Sequence, residues 1–495
     1  MTYTKLAVKG AATILVISLI AAFLGYVVRV ILARNLTIED FGLFYAIFAF
    51  LSLIGLFKSL GFDKALAKFI PELLSKKDND GIKSSIMYVT IIQLITNTII
   101  IVLVYIFSDF LAASYFNSEN ASGILKLMAI AFFIDSFMQV IKTAFQGFKK
   151  MVYFAGIDLI RMLLIIAVIL LGLNRGYGIL SPVYAYIIVP ILLLMIFGFI
   201  LTRKAFPDFF KSRFFVDKKL LKNISHYSIF ILATTIGGTI LGYTDIVMLT
   251  YFSGLTAVAL YSVALPTSRI LIYFPRAIAG VLLPVTSELW AKKKFGMIRE
   301  GMESLYKYSI IIIVPLVFMM FSFSDLIIKV FFPLGYVEAS LTLKILSIGM
   351  IFATLTGISV NFFAGIGKPQ ISSLIIYTSA LFNLVANFIL IPIFGIVGAA
   401  ITTTLSHFIA MVMGLIKTRK FITFKIPIAI WAKTLFSGIL FIIIIWLLKE
   451  IISINALAEA SIVLAISGAA YIGFLFVFRI INAKEMRDLL RRIVK

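Results

Sequence analysis

Long apolar runs, separated by short polar connections, follow one another along almost the whole chain. A run of roughly 20 apolar residues crosses the ~30 Å hydrocarbon core of a bilayer as a helix. The pattern predicts about fourteen spans, near 10–33, 41–61, 83–107, 121–145, 153–173, 179–202, 226–250, 257–285, 304–323, 340–364, 370–391, 395–416, 428–448 and 457–479. The first run lacks a small-residue cleavage site and continues into Arg29 and Arg34, so it reads as a span and not as a cleaved leader.

The pattern is written twice. Leu24-Gly25-Tyr26 returns as Leu241-Gly242-Tyr243, Phe44 falls opposite Tyr261, and Glu72 opposite Glu288. Further along, Phe145-Gln146-Gly147 answers Phe363-Ala364-Gly365, Lys150 answers Lys368, and Gly178-Ile179 answers Gly395-Ile396. Ordered matches at a nearly constant offset argue for a duplicated six-helix unit. The fold expected is an all-α polytopic membrane protein. Two six-helix bundles, 1–224 with its linker and 225–425, are related by a pseudo-two-fold axis along the membrane normal. Residues 426–495 add two helices and a short basic amphipathic tail.

Composition sharpens this picture. Of 495 residues, 62% are hydrophobic and 14% charged, outside the range of soluble globular proteins. There is no cysteine, hence no disulfide or thiolate chemistry, and the two histidines are too few for a histidine metal cluster. No cofactor is expected. The net charge of +23 suggests nucleic acid until it is placed on the map. The 203–222 connection carries seven Lys and Arg and the 251–256 turn none, while Arg34, Arg175, Lys329 and Lys449 alone fall in loops of the opposite side. That is the positive-inside bias: it predicts both termini in the cytoplasm and removes the case for a nucleic-acid partner. No connection exceeds about 25 residues, which leaves no room for a soluble catalytic or nucleotide-binding domain.

Basic residues inside spans are the candidates for chemistry, because a cation at mid-bilayer costs ~2.5–3.5 kcal/mol on insertion scales. They are Arg29, Lys58, Lys126, Arg161, Arg269, Arg276 and Lys344. Lys58, Lys126 and Lys344 lie near span ends, where snorkelling suffices. Asp158, one turn before Arg161, predicts a local neutralising pair. Arg269 and Arg276 are seven residues apart on a proline-rich helix (Pro266, Pro275, Pro284), which places them on one face about 10 Å apart. With Arg29 they suit a hydrated cavity that holds an anion; pairing with Asp135 or Asp245 is the plainer reading. Asp245 serves equally as a proton or sodium site or as a counter-ion, and Asp135 is read the same way. Gln93/Asn97 and Asn383/Asn387 read as interhelical hydrogen-bonding pairs, and Gly238-x-x-x-Gly242 as close helix packing.

Four segments, Ala33–Tyr45, the Gly61-Phe-Asp-Lys-Ala stretch, Asp245–Ala264 and above all Asn383–Ser406, resemble the multidrug/oligosaccharidyl-lipid/polysaccharide exporter superfamily in its polysaccharide-biosynthesis, O-antigen-flippase-like branch. The resemblance implies a non-enzymatic flippase in the plasma (inner) membrane, monomeric, moving a polyprenyl-(pyro)phosphate-linked oligosaccharide outward by alternating access for surface polysaccharide or glycoprotein synthesis. Membrane lipids and glycosyltransferases of the same pathway are the expected partners. Arg29, Arg269, Arg276 and Lys58 are then the substrate-binding candidates, with Asp245 and Asp135 as coupling or counter-ion groups. A cation-coupled multidrug antiporter of the same superfamily is the alternative. That branch is expected to carry a membrane carboxylate in its N-terminal half, where this chain offers Arg29.

Overall fold

The computed structural model describes the backbone of residues 3–452 and 454–481, and the side chains on it except at 3–15, 230, 274–281 and 284. The expected amphipathic tail falls almost wholly beyond residue 481, outside the described residues. The described chain is helical throughout, without a strand. In order come α1 (Tyr3–Asn35), α2 (Ile38–Ile54), α3 (Leu56–Ser59), α4 (Phe62–Ser75), α5 (Asn79–Leu111), α6 (Ala121–Gly147), α7 (Met151–Asn174) and α8 (Leu180–Ile200). They are followed by α9 (Lys218–Arg269), α10 (Tyr273–Ala291), α11 (Phe295–Ser322), α12 (Ser324–Phe331), α13 (Ala339–Gly365), α14 (Pro369–Arg419), α15 (Ile428–Ile451) and α16 (Ala456–Val477).

Twelve helical stretches among the described residues are long and apolar enough to cross a membrane. Two of them, α9 and α14, are double length and bend at a glycine in a conformation no helix adopts: Gly254 (φ 81°, ψ −179°) and Gly395 (φ 53°, ψ −129°). Each divides at its glycine into two helices. Only glycine reaches such φ values without a steric penalty, so it marks the two turns that hydropathy reads as polar connections.

Helix packing sorts the chain into two compact units, residues 1–262 with 384–396, and residues 263–383 with 397–495. In the first unit α6 is the hub and packs on α2, α4, α5, α7 and α8. In the second, α13 packs on α10 and α11, α11 on α15, and α15 on α16. The two hubs are each 27 residues long. Each ends in a glycine pressed against a neighbouring backbone. A Cβ on Gly147 would stand 2.9 Å from the Leu66 carbonyl oxygen, and one on Gly365 would stand 3.0 Å from that of Leu283. The next turns match as well: Lys150 N–H donates to the Phe145 carbonyl (2.9 Å) and Lys368 N–H to that of Phe363 (2.8 Å). Glu72 accepts from Lys76 (2.8 Å) and Glu288 from Lys292 (2.5 Å). Those lysine hydrogen bonds and charges hold both carboxyls below the ordinary glutamate range.

One local expectation is corrected. Gly238 and Gly242 press against nothing: a Cβ on either meets no heavy atom of the described chain within 4 Å. Between Arg269 and Arg276 a 3-10 turn, Ile270–Ile272, separates α9 from α10, an interruption of the kind that the prolines of this stretch invite. Pro275, which has no N–H for the Leu271 carbonyl, accounts for the interruption. The side chain of Arg276 lies outside the described residues.

Candidate functional site

The second membrane helix of the first unit does not run straight. It stops at Ile54, makes a single turn as α3, and reverses through Leu60 (φ 47°) and Gly61 (φ 79°) into α4. An interrupted helix leaves carbonyls without intrahelical donors, and in an apolar setting each needs a partner. The Lys58 carbonyl finds two on α5, the Thr96 hydroxyl (2.7 Å) and the Asn97 amide (3.1 Å). The interruption swings Lys58 out of its helix stack and over the Phe132 ring, 5.5 Å from its centre.

Around that break lies a cavity of about 340 Å³. Its charged lining is Lys58, Asp63, Lys64, Asp135 and Arg161, and Tyr186, Thr235, Thr239 and Tyr243 add hydroxyls. The last three recur every four residues on α9, so one helical face supplies them. Asp135 on α6 is shared: Lys58 Nζ approaches one carboxylate oxygen at 3.3 Å, and Arg161 Nη1 the other at 2.9 Å. All three side chains are more than 80% buried, with exposures of 19%, 16% and 16%. The Arg161 contact is an ion pair by distance without hydrogen-bond alignment, and its buried Nε has no protein partner among the described residues. One carboxylate therefore faces two cations, and donor capacity is left over.

The expected Arg161–Asp158 pair is not made. Asp158 binds Lys142 of α6 at 2.7 Å, and Arg161 turns to Asp135 instead. Helix spacing shows which residues share a face but not what the neighbouring helix presents, and here that decides the pairing. Arg161 is the cavity residue that sequence reasoning set aside. The signal that could have found it was a basic residue inside a span with acids on an adjacent span.

The other candidates are placed as follows. Arg29 donates to the Ser262 carbonyl and lies 4.1 Å over the Tyr45 ring. Tyr186 of the cavity lies within the electrostatic reach of both Arg29 and Arg161. Asp245 is 2% exposed and accepts hydrogen bonds from the Tyr261 hydroxyl (2.5 Å) and the Asn387 amide (2.7 Å). Arg269 belongs to the second unit and lies within electrostatic range of the half-buried His407. The structure thus joins Lys58 to Asp135 and adds Arg161. Lys126 and Lys344, read as snorkelling, approach acids at neighbouring helix ends, Asp109 (3.5 Å) and Asp325 (3.2 Å).

Twelve apolar stretches among the described residues, with a polar, charged cavity in the first unit, describe a polytopic membrane protein, and comparison with known proteins supplies the rest. The model for polysaccharide biosynthesis proteins matches residues 7–290, and the MatE model matches residues 231–389. The chain is 35% identical to an uncharacterized membrane protein of Methanocaldococcus jannaschii over the full length of both. It is 22% identical to the probable low-salt glycan biosynthesis flippase Agl15 of Haloferax volcanii, over 93% of each chain. A solved structure of the lipid II flippase MurJ, in an inward closed conformation, superposes with a TM-score of 0.77 at 17% identity, covering 97% of this chain and 100% of that one. The chain belongs to the polysaccharide biosynthesis protein family of the multidrug/oligosaccharidyl-lipid/polysaccharide exporter superfamily.

Proposed function

We propose that this protein moves a polyprenyl-(pyro)phosphate-linked oligosaccharide from the cytoplasmic to the outer leaflet of the plasma membrane by alternating access, with both termini cytoplasmic. The observation that carries the reading is the shared carboxylate: two partly desolvated cations, Lys58 and Arg161, divide one acid between them. The surplus positive charge, with Arg161 Nε unpartnered, suits a phosphate that brings its own negative charge and acceptor oxygens. Threonine and tyrosine hydroxyls along α9 suit the sugar-bearing portion. Agl15, a flippase by name in glycan biosynthesis, supports the substrate class.

The energetics need no nucleotide. Each elementary charge crossing the full field is worth ~2.3 kcal/mol per 100 mV. A head group with about two negative charges gains roughly 4–5 kcal/mol on moving outward against an inside-negative potential of that size. Arg29, Arg269 and Arg276 are candidates for the same anion and are tested one at a time. A second reading, cation-coupled antiport, draws on the MatE match and on Asp245, a buried carboxylate that accepts from the Tyr261 hydroxyl and the Asn387 amide.

The test is transport of a polyprenyl-pyrophosphate glycan into sided proteoliposomes. Arg161→Ala should lower apparent affinity roughly tenfold to a hundredfold, the worth of one charge-assisted contact of ~1.5–3 kcal/mol. Arg161→Lys should recover part of it, because a point charge replaces a planar fork. Unchanged transport by Arg161→Ala would remove the proposal. Loss of transport in Asp245→Asn, together with uptake of cationic drugs by the native protein, would establish the antiporter.

A further inference from the structure

A second cavity, of about 780 Å³, opens where α4 and the first turns of α9 meet, beside the basic 203–222 connection. Lys68, Phe69 and Glu72 of α4 line it, with Lys222, His226 and Tyr227 of α9. The lining lysines, Lys68 and Lys222, outnumber the cavity's one acid, Glu72. Glu72 is engaged by Lys76 at 2.8 Å, and no ion pair to Lys68 or Lys222 occurs among the described residues. Lys68 is not splayed into solvent either: its ammonium lies 4.2 Å over the Tyr227 ring and 5.2 Å from that of Phe69. Those rings meet edge to face, 5.9 Å apart. The aromatic pair thus holds one cation at the wall of the cavity, with its remaining N–H donors directed inward or to solvent.

The position of this cavity matters as much as its charge. It shares both walls with the inner one. On α4, Lys68 faces the outer cavity and Lys64, one turn earlier, the inner. On α9, His226 and Tyr227 line the outer cavity and Thr235 and Thr239 the inner. Between the two, the helices touch where Gly61 meets the Ser228 carbonyl, so close that a Cβ would stand 2.4 Å from its oxygen. Basic groups therefore line both cavities: Lys222 and Lys68 of the α4–α9 seam the outer one, and Lys64 of α4, Lys58 of α3 and Arg161 of α7 the inner one.

We propose that the outer cavity is a capture site for a phosphate or pyrophosphate group, occupied before the inner cavity. This rests on the flippase reading above. Exposed lysines act mainly on the rate of encounter and its salt dependence, while buried, hydrogen-bonded charges act on release. The two cavities are thereby separable.

The experiment is surface plasmon resonance on the full chain in nanodiscs, with geranyl pyrophosphate and inorganic pyrophosphate as probes. Lys68→Gln/Lys222→Gln, both exposed positions that tolerate the change, should slow association about tenfold, flatten its salt dependence and leave dissociation unaltered. Arg161→Gln should do the reverse, with faster dissociation at an unchanged association rate. Tighter binding of the geranyl probe assigns the site to lipid head groups, and equal binding of the two assigns it to phosphate in solution. If the double variant associates as the native protein does while Arg161→Gln still releases faster, the capture site is refuted and the flippase reading stands. If the native protein binds neither probe, both fall.

Discussion

The two halves of the chain agree in their turns and disagree in the charges inside their spans. At matched positions, hub helices α6 and α13 end in a glycine against a neighbouring carbonyl, and equivalent hydrogen bonds close the following turn. Ion pairs at helix ends agree too, Glu72–Lys76 with Glu288–Lys292 and Lys126–Asp109 with Lys344–Asp325, but those inside the spans do not. Asp135, Arg161, Lys142 and Asp158 are paired in the first half. Their counterparts at the repeat offset are Ala353, Ser379, Val360 and Ile376. Near those positions, Ser379 donates to the Ser406 carbonyl (2.8 Å) and Asn383 to the Thr403 hydroxyl (3.3 Å). What is kept is the close backbone approach that helix packing in a membrane depends on, where apolar side chains gain little over lipid. What is varied is the interior charge, which packing does not require and an anionic cargo does.

Moving a charge to the neutral side tests this most harshly. Ser379 is fully buried. Ser379→Arg introduces the residue of its counterpart, Arg161, with no carboxylate at 353 to receive it. A buried unpaired cation costs several kcal/mol. The expected outcome is loss of the monodisperse peak in size-exclusion chromatography, whereas Arg161→Ser should keep that peak. A well-folded Ser379→Arg protein would show that the second half tolerates charge, and the contrast between halves would lose its physical basis.

The shared feature is tested by a smaller change. Gly147→Ala and Gly365→Ala each place a Cβ within 3.0 Å of a neighbouring backbone or Cβ atom, at the same turn of the repeat. Overpacking of this kind costs about 1–3 kcal/mol. Both variants should lower the thermal midpoint in detergent by similar amounts. A drop at only one of them would mean that the matched turns bear unequal packing.

Hydropathy and the repeat made the helices legible, since a membrane imposes a length and a composition on each span. The glycine pivots at 254 and 395 were legible as turns. Less could be read of the charged site. Lys58 read as a snorkelling residue because its distance from the span end was visible and the break at Leu60–Gly61 was not. Arg161 went to the wrong partner because Asp158 is near in sequence and Asp135 is near in space. Gly238 and Gly242 read as a packing motif because the motif names two small residues, not what stands opposite them. In each case the missing information is the identity of the neighbouring helix.

The smallest expected effect sharpens the comparison at a single dihedral. After the hub helices, the chain turns through a left-handed residue in each half: Lys149 (φ 58°) in the first, Gly367 (φ 74°) in the second. The flanking hydrogen bonds match, 3.0 Å from Lys149 N–H to the Gln146 carbonyl and 3.2 Å from Gly367 N–H to the Ala364 carbonyl. A lysine held there is strained by about 1–2 kcal/mol, which glycine avoids. Glycine also loses more chain entropy on folding, and that returns roughly 0.4–1 kcal/mol of the difference. Lys149→Gly should therefore stabilise the protein by about 0.5–1 kcal/mol, and Gly367→Lys should destabilise it by a similar amount. In a chain this long such a change moves the thermal midpoint by only about 1 °C, so its sign is the observable. Opposite signs mean that the two turns hold their residues to the same conformation. A shift in the same direction for both variants would show that the matched turns are alike in outline and not in conformational demand.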